Sequence, residues 1–278
     1  MSFNKSKHGK KNKDESKNSK TNKTLKSKKN SFLGNSLTVL LEIVFIIGIV
    51  FSGYKIVIWI MDNINSNQIK NELQEYVSTN VESDDNNTQK ELDANDYDIN
   101  FKELTSINSD TVGWLKINNT NIEYPIVKAQ DNEYYLNTDF KKKPNGTGWV
   151  FADYRNKFDG NDKNIKLYGH NRKDASMFGT LKDMLEADWY NNKANQNIVF
   201  ITKNEKANYR IFSMYRLEVE EYYLTTSFTN DTYKDFIKTI KSRSIHNFNI
   251  DVTSDDSILT LSTCSGSDYR VVVHAKKI

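Results

Sequence analysis

Short apolar runs fill the last two thirds of the chain, and turn-forming residues such as Asn118-Asn119-Thr120 and Pro144-Asn145-Gly146 separate them. Runs of this length, rich in β-branched and aromatic residues, predict β-strands. The expected strands are 112–117, 122–127, 148–152, 165–168, 197–202, 209–218, 258–263 and 270–275. Roughly eight short strands over about 180 residues favour a closed or nearly closed β-barrel.

Helical periodicity interrupts these strands. Residues 101–107 and 177–185 are expected to form short helices, and 231–242 a longer one. The longer helix is the clearest, because apolar side chains recur at i, i+3, i+4 and i+7, namely Tyr233, Phe236, Ile237 and Ile240. Asn230 or Thr229 is a suitable cap. The fold class is therefore predicted to be mainly β with flanking helices.

One apolar stretch, from about residue 37 to 61, is long enough to span a bilayer as a helix. Its two charges, Glu42 and Lys55, lie near its ends, where long side chains reach the interface. A cleaved signal peptide is the alternative, but no small-x-small cleavage site follows the run. We expect an uncleaved single-pass anchor with the lysine-rich N-terminus in the cytoplasm and the rest of the chain outside the cell.

Residues 62 to about 81 continue with an apolar helical face formed by Ile69, Leu73, Tyr76 and Val77. Residues 82–98 have no period and many acids, which is typical of a flexible spacer. The expected organisation is a basic tail at 1–32, a transmembrane anchor at 33–61, an extracytoplasmic helix and acidic linker at 62–98, and a globular domain at 99–278.

Composition removes several classes of function. The net charge is +3, although lysines crowd the first 30 residues. A basic tail of this kind can bind nucleic acid, but the apolar run that follows argues for a membrane, so no nucleic-acid partner is expected. One cysteine and four histidines exclude a zinc-finger pattern and a disulfide within the chain. We expect no metal and no cofactor.

The single cysteine, Cys264, ends one predicted strand, and Arg270 begins the next. Their ordinary interpretations are a small buried hydrophobe and a surface charge. A lone thiol in an extracellular domain nevertheless points to reactivity. Positive charge stabilises a thiolate, and a fixed donor stabilises an oxyanion.

A nucleophilic cysteine needs a histidine partner. His8 lies in the cytoplasmic tail, and His246 follows a helix end in a polar stretch. His274 shares a strand with Arg270, four residues or about 13 Å along it. His170 follows a predicted strand that ends in Gly169, a common location for functional residues, although a loop histidine is often only exposed.

These residues resemble the sortases, the membrane-anchored cysteine transpeptidases of Gram-positive bacteria. The resemblance rests on Thr-Leu-Ser-Thr-Cys at 260–264 followed by Arg270, and on Leu-Tyr-Gly-His-Asn at 167–171. Segments 112–115, 124–127, 131–136, 148–153 and 176–179, together with the helix before the cysteine strand, are similar to class B.

The resemblance implies an eight-stranded sortase-type β-barrel with Cys264, His170 and Arg270 as catalytic residues. Its substrates would be secreted proteins that carry a C-terminal LPxTG- or NPxTx-like sorting signal. The acceptor would be an amine of a peptidoglycan precursor or cross-bridge, and the enzyme would sit in membrane lipid. Substrate contacts are expected from Ser262, Thr263, Asn137 and the backbone N–H of Ser265.

Two further functions stay open. A pilin-polymerising or mainly hydrolytic enzyme differs only in the acceptor, which the sequence does not specify. A non-catalytic anchored binding module would keep the barrel, but the intact cysteine, histidine and arginine set disfavours it.

Overall fold

The computed structural model describes the backbone of residues 15–80, 91, 93–264 and 269–278, with side chains from residue 36 onward except that of Cys264. Much of the predicted basic tail and acidic linker lies outside these residues. The chain forms two compact units, Met1–Ile58 and Trp59–Ile278.

Helix α1, Glu15–Gln74, contains the apolar stretch. Among the described residues, one helical segment, Ser36–Gln74, is long and apolar enough to cross a membrane, with a mean hydropathy of 2.3 in its most apolar part. None of that part is buried, and side chains such as Phe45, Val50 and Phe51 are exposed. An exposed apolar helix of this length suggests a membrane anchor.

Eight strands close into a barrel, which confirms the predicted fold class. They are β3 (Thr111–Ile117), β4 (Glu123–Val127), β5 (Phe151–Ala152), β6 (Asn164–His170), β7 (Asn197–Thr202), β8 (Lys206–Glu218), β9 (Ile258–Cys264) and β10 (Tyr269–Lys277). The strand order is β10-β8-β7-β3-β4-β5-β6-β9. The pairs β4–β5 and β6–β9 are parallel, whereas the other pairs are antiparallel.

A small second sheet pairs β1 (Val77–Thr79) with β2 (Tyr97–Ile99). The helix expected to reach residue 81 therefore ends at Gln74, and Val77 lies in a strand. Ile69 and Leu73 are buried in the main core of the barrel unit. The C-terminal part of α1 thus belongs to the compact unit that begins at Trp59.

The remaining helices are short. They are α2 (Phe101–Ile107), α3 (Ala187–Tyr190) and α4 (Asn230–Ser242), and a 3₁₀ helix at Gly179–Leu185 replaces the α-helix expected at 177–185. Thr229 caps α4 in a reciprocal capping box with Thr232, as one of the two predicted caps. The predicted apolar face of α4 is buried.

Alternate side chains of β9 and β10 pack in two different hydrophobic clusters. Leu259, Leu261 and Val273 belong to the main core, whereas Ile258 and Val272 pack in a second cluster with the apolar face of α4. Because side chains of a strand alternate between its two faces, one face of β9 and β10 lies beneath α4. The predicted catalytic residues continue this face.

Candidate active site

The backbone register pairs two of the three predicted catalytic residues, and the third lies at the same end of the adjacent strand. Strand β9 lies between β6 and β10, and His170 of β6 pairs with Cys264 of β9. On the other side Val272 of β10 pairs with Ser262. Arg270 precedes Val272 by two residues on β10, and Cys264 follows Ser262 by two residues on β9, so both lie at the same end of these adjacent strands. Directly paired residues share a face of the sheet, and adjacent strands lie about 4.8 Å apart.

The His170 ring is held by a backbone carbonyl. Its Nε2 lies 2.7 Å from the carbonyl oxygen of Leu136. Since a carbonyl oxygen only accepts, Nε2 carries the hydrogen and donates it. In the neutral ring this leaves Nδ1 as the nitrogen that takes up a proton.

Close aromatic packing explains the glycine that precedes this histidine. A Cβ on Gly169 would lie 2.8 Å from Cγ of Phe178. The Phe178 N–H in turn donates to the carbonyl of His170 at 3.0 Å. Gly169 therefore lets the 3₁₀ segment close over the end of β6 and fix the backbone of His170.

Gly148 touches the ring itself and has φ +62°. A Cβ there would lie 2.7 Å from the carbonyl oxygen of Leu136 and 3.0 Å from Cδ2 of His170. Gly148→Ala is expected to displace the ring and to lower kcat at least about tenfold, since small misplacements of a catalytic group are costly. Steady-state kinetics of the full chain in detergent micelles would measure this.

Gly160→Ala is the matched control for Gly148→Ala. Gly160 also has a positive φ, +84°, but a Cβ there would meet nothing within 4 Å. Gly160→Ala should lose about 1 kcal/mol of stability through backbone strain, and Gly148→Ala should lose more, because its Cβ also meets the backbone oxygens of Tyr135 and Leu136. Only Gly148→Ala should lose activity. Equal activities of the two variants would contradict the assigned role of the contact.

Arg270 is half-buried, and its Nη1 donates to the carbonyl of Tyr269 at 3.2 Å. Beside it the ladder between β9 and β10 changes, because the N–H of Val271 donates to Oγ1 of Thr263 at 2.9 Å. Thr263 is buried, and its hydroxyl therefore links β9 to β10 beside Arg270.

The other predicted substrate contacts occupy different environments. Ser262 is buried, and its Oγ lies 3.2 Å from Oη of Tyr223. Asn137 is exposed and directly follows Leu136, whose carbonyl holds the His170 ring. Ser265 and the side chain of Cys264 lie outside the described residues. The substrate roles of all four predicted residues stay predictions.

His274 pairs with Thr260, four residues before Cys264 on β9, and is fully buried. The Thr260 hydroxyl donates to Oδ1 of Asn164 at 2.7 Å, so toward the ring it accepts from Nδ1 at 2.9 Å. Nε2 is then left to accept from the hydroxyl of Tyr215 at 2.8 Å. Burial, and secondarily the charges of Lys166 and Arg243, lowers the pKa of His274 to about 3.

This buried neutral ring makes stability depend on pH. In the unfolded chain a histidine binds a proton near pH 6.5, whereas folded His274 stays neutral down to about pH 3. The unfolded state binds more protons across that window, so stability falls as the pH falls. His274→Gln, which keeps one donor and one acceptor, should flatten this loss by a few kcal/mol. Urea unfolding between pH 7 and pH 4 would measure it, and parallel curves would refute it.

Lys166 pairs with Thr260 on the other side of β9 and is also fully buried. Within the described part of the chain, its Nζ has no hydrogen-bond partner. Burial lowers the pKa of Lys166 to about 7, against the nearby charge of Asp153. Burial alone would raise the pKa of Asp153, but hydrogen bonds from Arg155 and Tyr168 lower it to about 2. No sequence pattern indicates that Lys166 and Asp153 are buried near each other.

Lys166→Met should stabilise the protein. Near pH 6 the wild-type amine is charged in both states and desolvated in the folded one, so its removal should add about 1–4 kcal/mol. As the pH rises from 7 toward 10.5 the advantage should shrink, because the folded amine loses its proton first. Lys163→Met is the control, since that amine donates to the carbonyls of Ser254 and Asp255 at 3.0 Å. Destabilisation by both variants would contradict the prediction.

No group of three or more His, Cys, Asp or Glu side chains is placed to hold a metal ion in the part of the chain that the structure describes. The groups at this end of β6, β9 and β10 suit acyl transfer. They are a histidine whose Nε2 is held by a carbonyl, a permanent cation and the backbone position of a cysteine. The Leu136 carbonyl and the backbone of Gly148 also lie against His170. Their spacing in the sequence does not predict this proximity.

Comparison with known proteins agrees with the geometry. The family model for the sortase domain matches residues 115–278. Sortase B of Listeria monocytogenes is 34% identical over 263 residues, which cover 90% of this chain and 99% of the relative. Sortase B of Staphylococcus aureus is 37% identical over 183 residues, or 64% of this chain and 74% of the relative.

Solved structures give the same result. Sortase B from Bacillus anthracis in complex with AAEK1 has a TM-score of 0.68 at 32% identity, covering 79% of this chain and 99% of that one. The Staphylococcus aureus sortase B–substrate complex has a TM-score of 0.61 at 36% identity, covering 64% of this chain and 84% of that one. The chain therefore belongs to the sortase family, and within it to class B.

Proposed function

We propose that this class B sortase cleaves a C-terminal LPxTG- or NPxTx-like sorting signal and joins the new carboxyl end of the surface protein to a peptidoglycan amine. The observation that carries the proposal is the pairing of His170 with Cys264, with Arg270 at the same end of the adjacent strand β10. A cysteine flanked by an imidazole and a guanidinium is suited to form and resolve a thioester.

In the first half-reaction Cys264 transfers its thiol proton to Nδ1 of His170 and attacks the carbonyl carbon of the signal threonine. Arg270 donates to the resulting oxyanion, and its fixed charge and forked donors suit that task better than a lysine. As the tetrahedral species collapses, the C–N bond breaks and His170 returns the proton to the leaving amine. The signal is left as a thioester on Cys264.

In the second half-reaction an amine attacks the thioester carbon and gives a proton to His170. The C–S bond breaks, so an amide forms and the thiolate returns beside an imidazolium. The Leu136 carbonyl serves both steps, because it holds the Nε2 hydrogen in place while Nδ1 gains and loses its proton. The chemistry is that of a cysteine endopeptidase whose second substrate is an amine, corresponding to type EC 3.4.22.

The proposed location is the plasma membrane. With a single pass through 33–61 and the N-terminus in the cytoplasm, the catalytic unit would lie outside the cell, beside membrane lipid and the cell wall. The exposed apolar surface of α1 supports such an anchor. Secreted proteins with a sorting signal would reach the enzyme as they leave the membrane.

The test is incubation of the full-length chain, in detergent micelles, with peptides of both signal classes and with or without triglycine. Mass spectrometry should detect a new amide between the signal threonine and triglycine. Release of the free acid alone, at a rate that no amine changes, would favour the mainly hydrolytic alternative. A folded protein that cleaves neither peptide would overturn the proposal and favour the binding module.

A further inference from the structure

We propose that Asn63, on the helix that leaves the apolar segment, is a positioning residue for His170. Only one part of this inference, the expected change in kcat, rests on the proposed function. Asn63 and its contacts all lie in the compact unit Trp59–Ile278.

The side-chain oxygen of Asn63 receives two donors from separate parts of the barrel. Oγ1 of Thr147 donates to it at 3.3 Å, and Nη2 of Arg172 donates to it as well. Thr147 lies one residue before Gly148, whose Cα approaches the His170 ring, and Arg172 lies two residues after His170. One amide oxygen thus joins the two segments that border the histidine.

The neighbouring residue of the helix strengthens this connection. Oδ2 of Asp62 accepts from the N–H of Gly146 at 2.9 Å, and its carbonyl accepts from Nδ2 of Asn145 at 3.3 Å. Asn145 is buried, and its backbone N–H donates to the carbonyl of Asn137 at 3.0 Å. The turn at 145–147 is therefore fastened to the helix on one side and to the segment that carries the Leu136 carbonyl on the other.

These contacts form a closed path around the imidazole. From Asn63 one branch runs through the 145–147 turn to Leu136, whose carbonyl accepts from Nε2. The other runs through Arg172, which is also ion-paired with Asp174 at 3.3 Å, to the backbone of His170. Loss of the shared oxygen weakens both branches at once, although Asp62 and Asp174 still hold parts of them. The ring should then lose part of its fixed orientation relative to Cys264.

The experiment compares three variants of the full-length chain in micelles. Asn63→Ala removes the shared acceptor. Asn63→Asp keeps acceptor oxygens for Thr147 and Arg172 and should restore most of the function. Glu72→Gln is the control on the same helix, because it removes only the exposed ion pair with Lys141 at 2.7 Å.

Two readouts separate positioning from simple stabilisation. With a sorting-signal peptide, Asn63→Ala should lower kcat about tenfold with little change in KM, while Asn63→Asp and Glu72→Gln stay near wild type. With ¹⁵N-labelled histidine, the wild type should give the His170 ring signals of an Nε2–H form, and only Asn63→Ala should shift or broaden them. The chain has four histidines, so His170→Gln assigns the signals.

The ring signals do not require turnover, which keeps the two proposals distinguishable. If the wild type cleaves no signal peptide, the proposed function fails and the ring signals still test Asn63. If Asn63→Ala lowers only the unfolding temperature and leaves the His170 signals and kcat unchanged, or if Asn63→Asp is as impaired as Asn63→Ala, the positioning role is refuted.

Discussion

Cys264→Ala is expected to lower cleavage of a sorting-signal peptide by roughly 10⁴-fold or more, because no other group can form the thioester. The substitution removes one sulfur atom at the end of β9 and leaves the β6–β9 ladder intact, so the unfolding temperature should change by no more than about 2 °C. Liquid chromatography of cleaved peptide and a thermal melt of the same sample would measure both.

The thermal melt shows whether the inactive variant is still folded. Loss of activity in an unfolded variant would say nothing about chemistry, whereas loss of activity in a folded one identifies the nucleophile. Turnover by Cys264→Ala within about tenfold of the wild type would remove the nucleophile assignment and with it the proposed mechanism.

The second large effect is expected at His170. His170→Ala should lower kcat by about 10²- to 10⁴-fold, the usual contribution of a general acid and base. His274→Gln should keep most activity, because His274 lies beneath α4, bonded to Thr260 and Tyr215, and cannot reach the substrate. Steady-state kinetics of both variants with a signal peptide would measure this difference.

The two histidines form a natural control pair. They lie on the same face of the sheet, two rows apart, and differ in exposure and in hydrogen-bond partners. The opposite result, an active His170→Ala and an inactive but folded His274→Gln, would show that the wrong imidazole had been assigned.

Sequence patterns predicted the parts of the fold that depend on local periodicity. The eight barrel strands are visible as short apolar runs between turn signals, and the capped helix α4 as a period-3.6 pattern, and the structure confirms both. The pairing of β6 with β9 is not visible in this way. It joins residues almost a hundred positions apart in parallel, so only the resemblance to sortases indicated that His170 lies beside Cys264.

The errors have physical causes. The helix predicted to residue 81 ends at Gln74 because Val77 pairs with Ile99, a partner beyond the acidic linker that no local pattern reveals. The strand predicted at 148–152 contains only Phe151–Ala152. Gly148 has a positive φ, which is not a strand conformation, and lies beside the His170 ring. In both places a long-range contact overrode the local preference.

Other features of the site also require the fold. A buried lysine such as Lys166 reads in sequence as an exposed position of a strand, because charged residues usually alternate toward solvent. Leu136 acts through its backbone carbonyl, and Asn63 acts through one side-chain oxygen that two donors share. Neither kind of contact has a sequence pattern.

The central claim is that His170, Cys264 and Arg270, on three adjacent strands, form and resolve a thioester. Its most direct test is to trap that intermediate. The full-length chain is mixed with a signal peptide without any amine acceptor, quenched in acid, digested and analysed by mass spectrometry. The account predicts the N-terminal part of the signal peptide, ending at its threonine, on the fragment that contains Cys264, and its release by hydroxylamine. It also predicts that Arg270→Ala and His170→Ala accumulate far less of this adduct. Cleavage of the peptide with no adduct on that fragment, or with an adduct elsewhere, would contradict it.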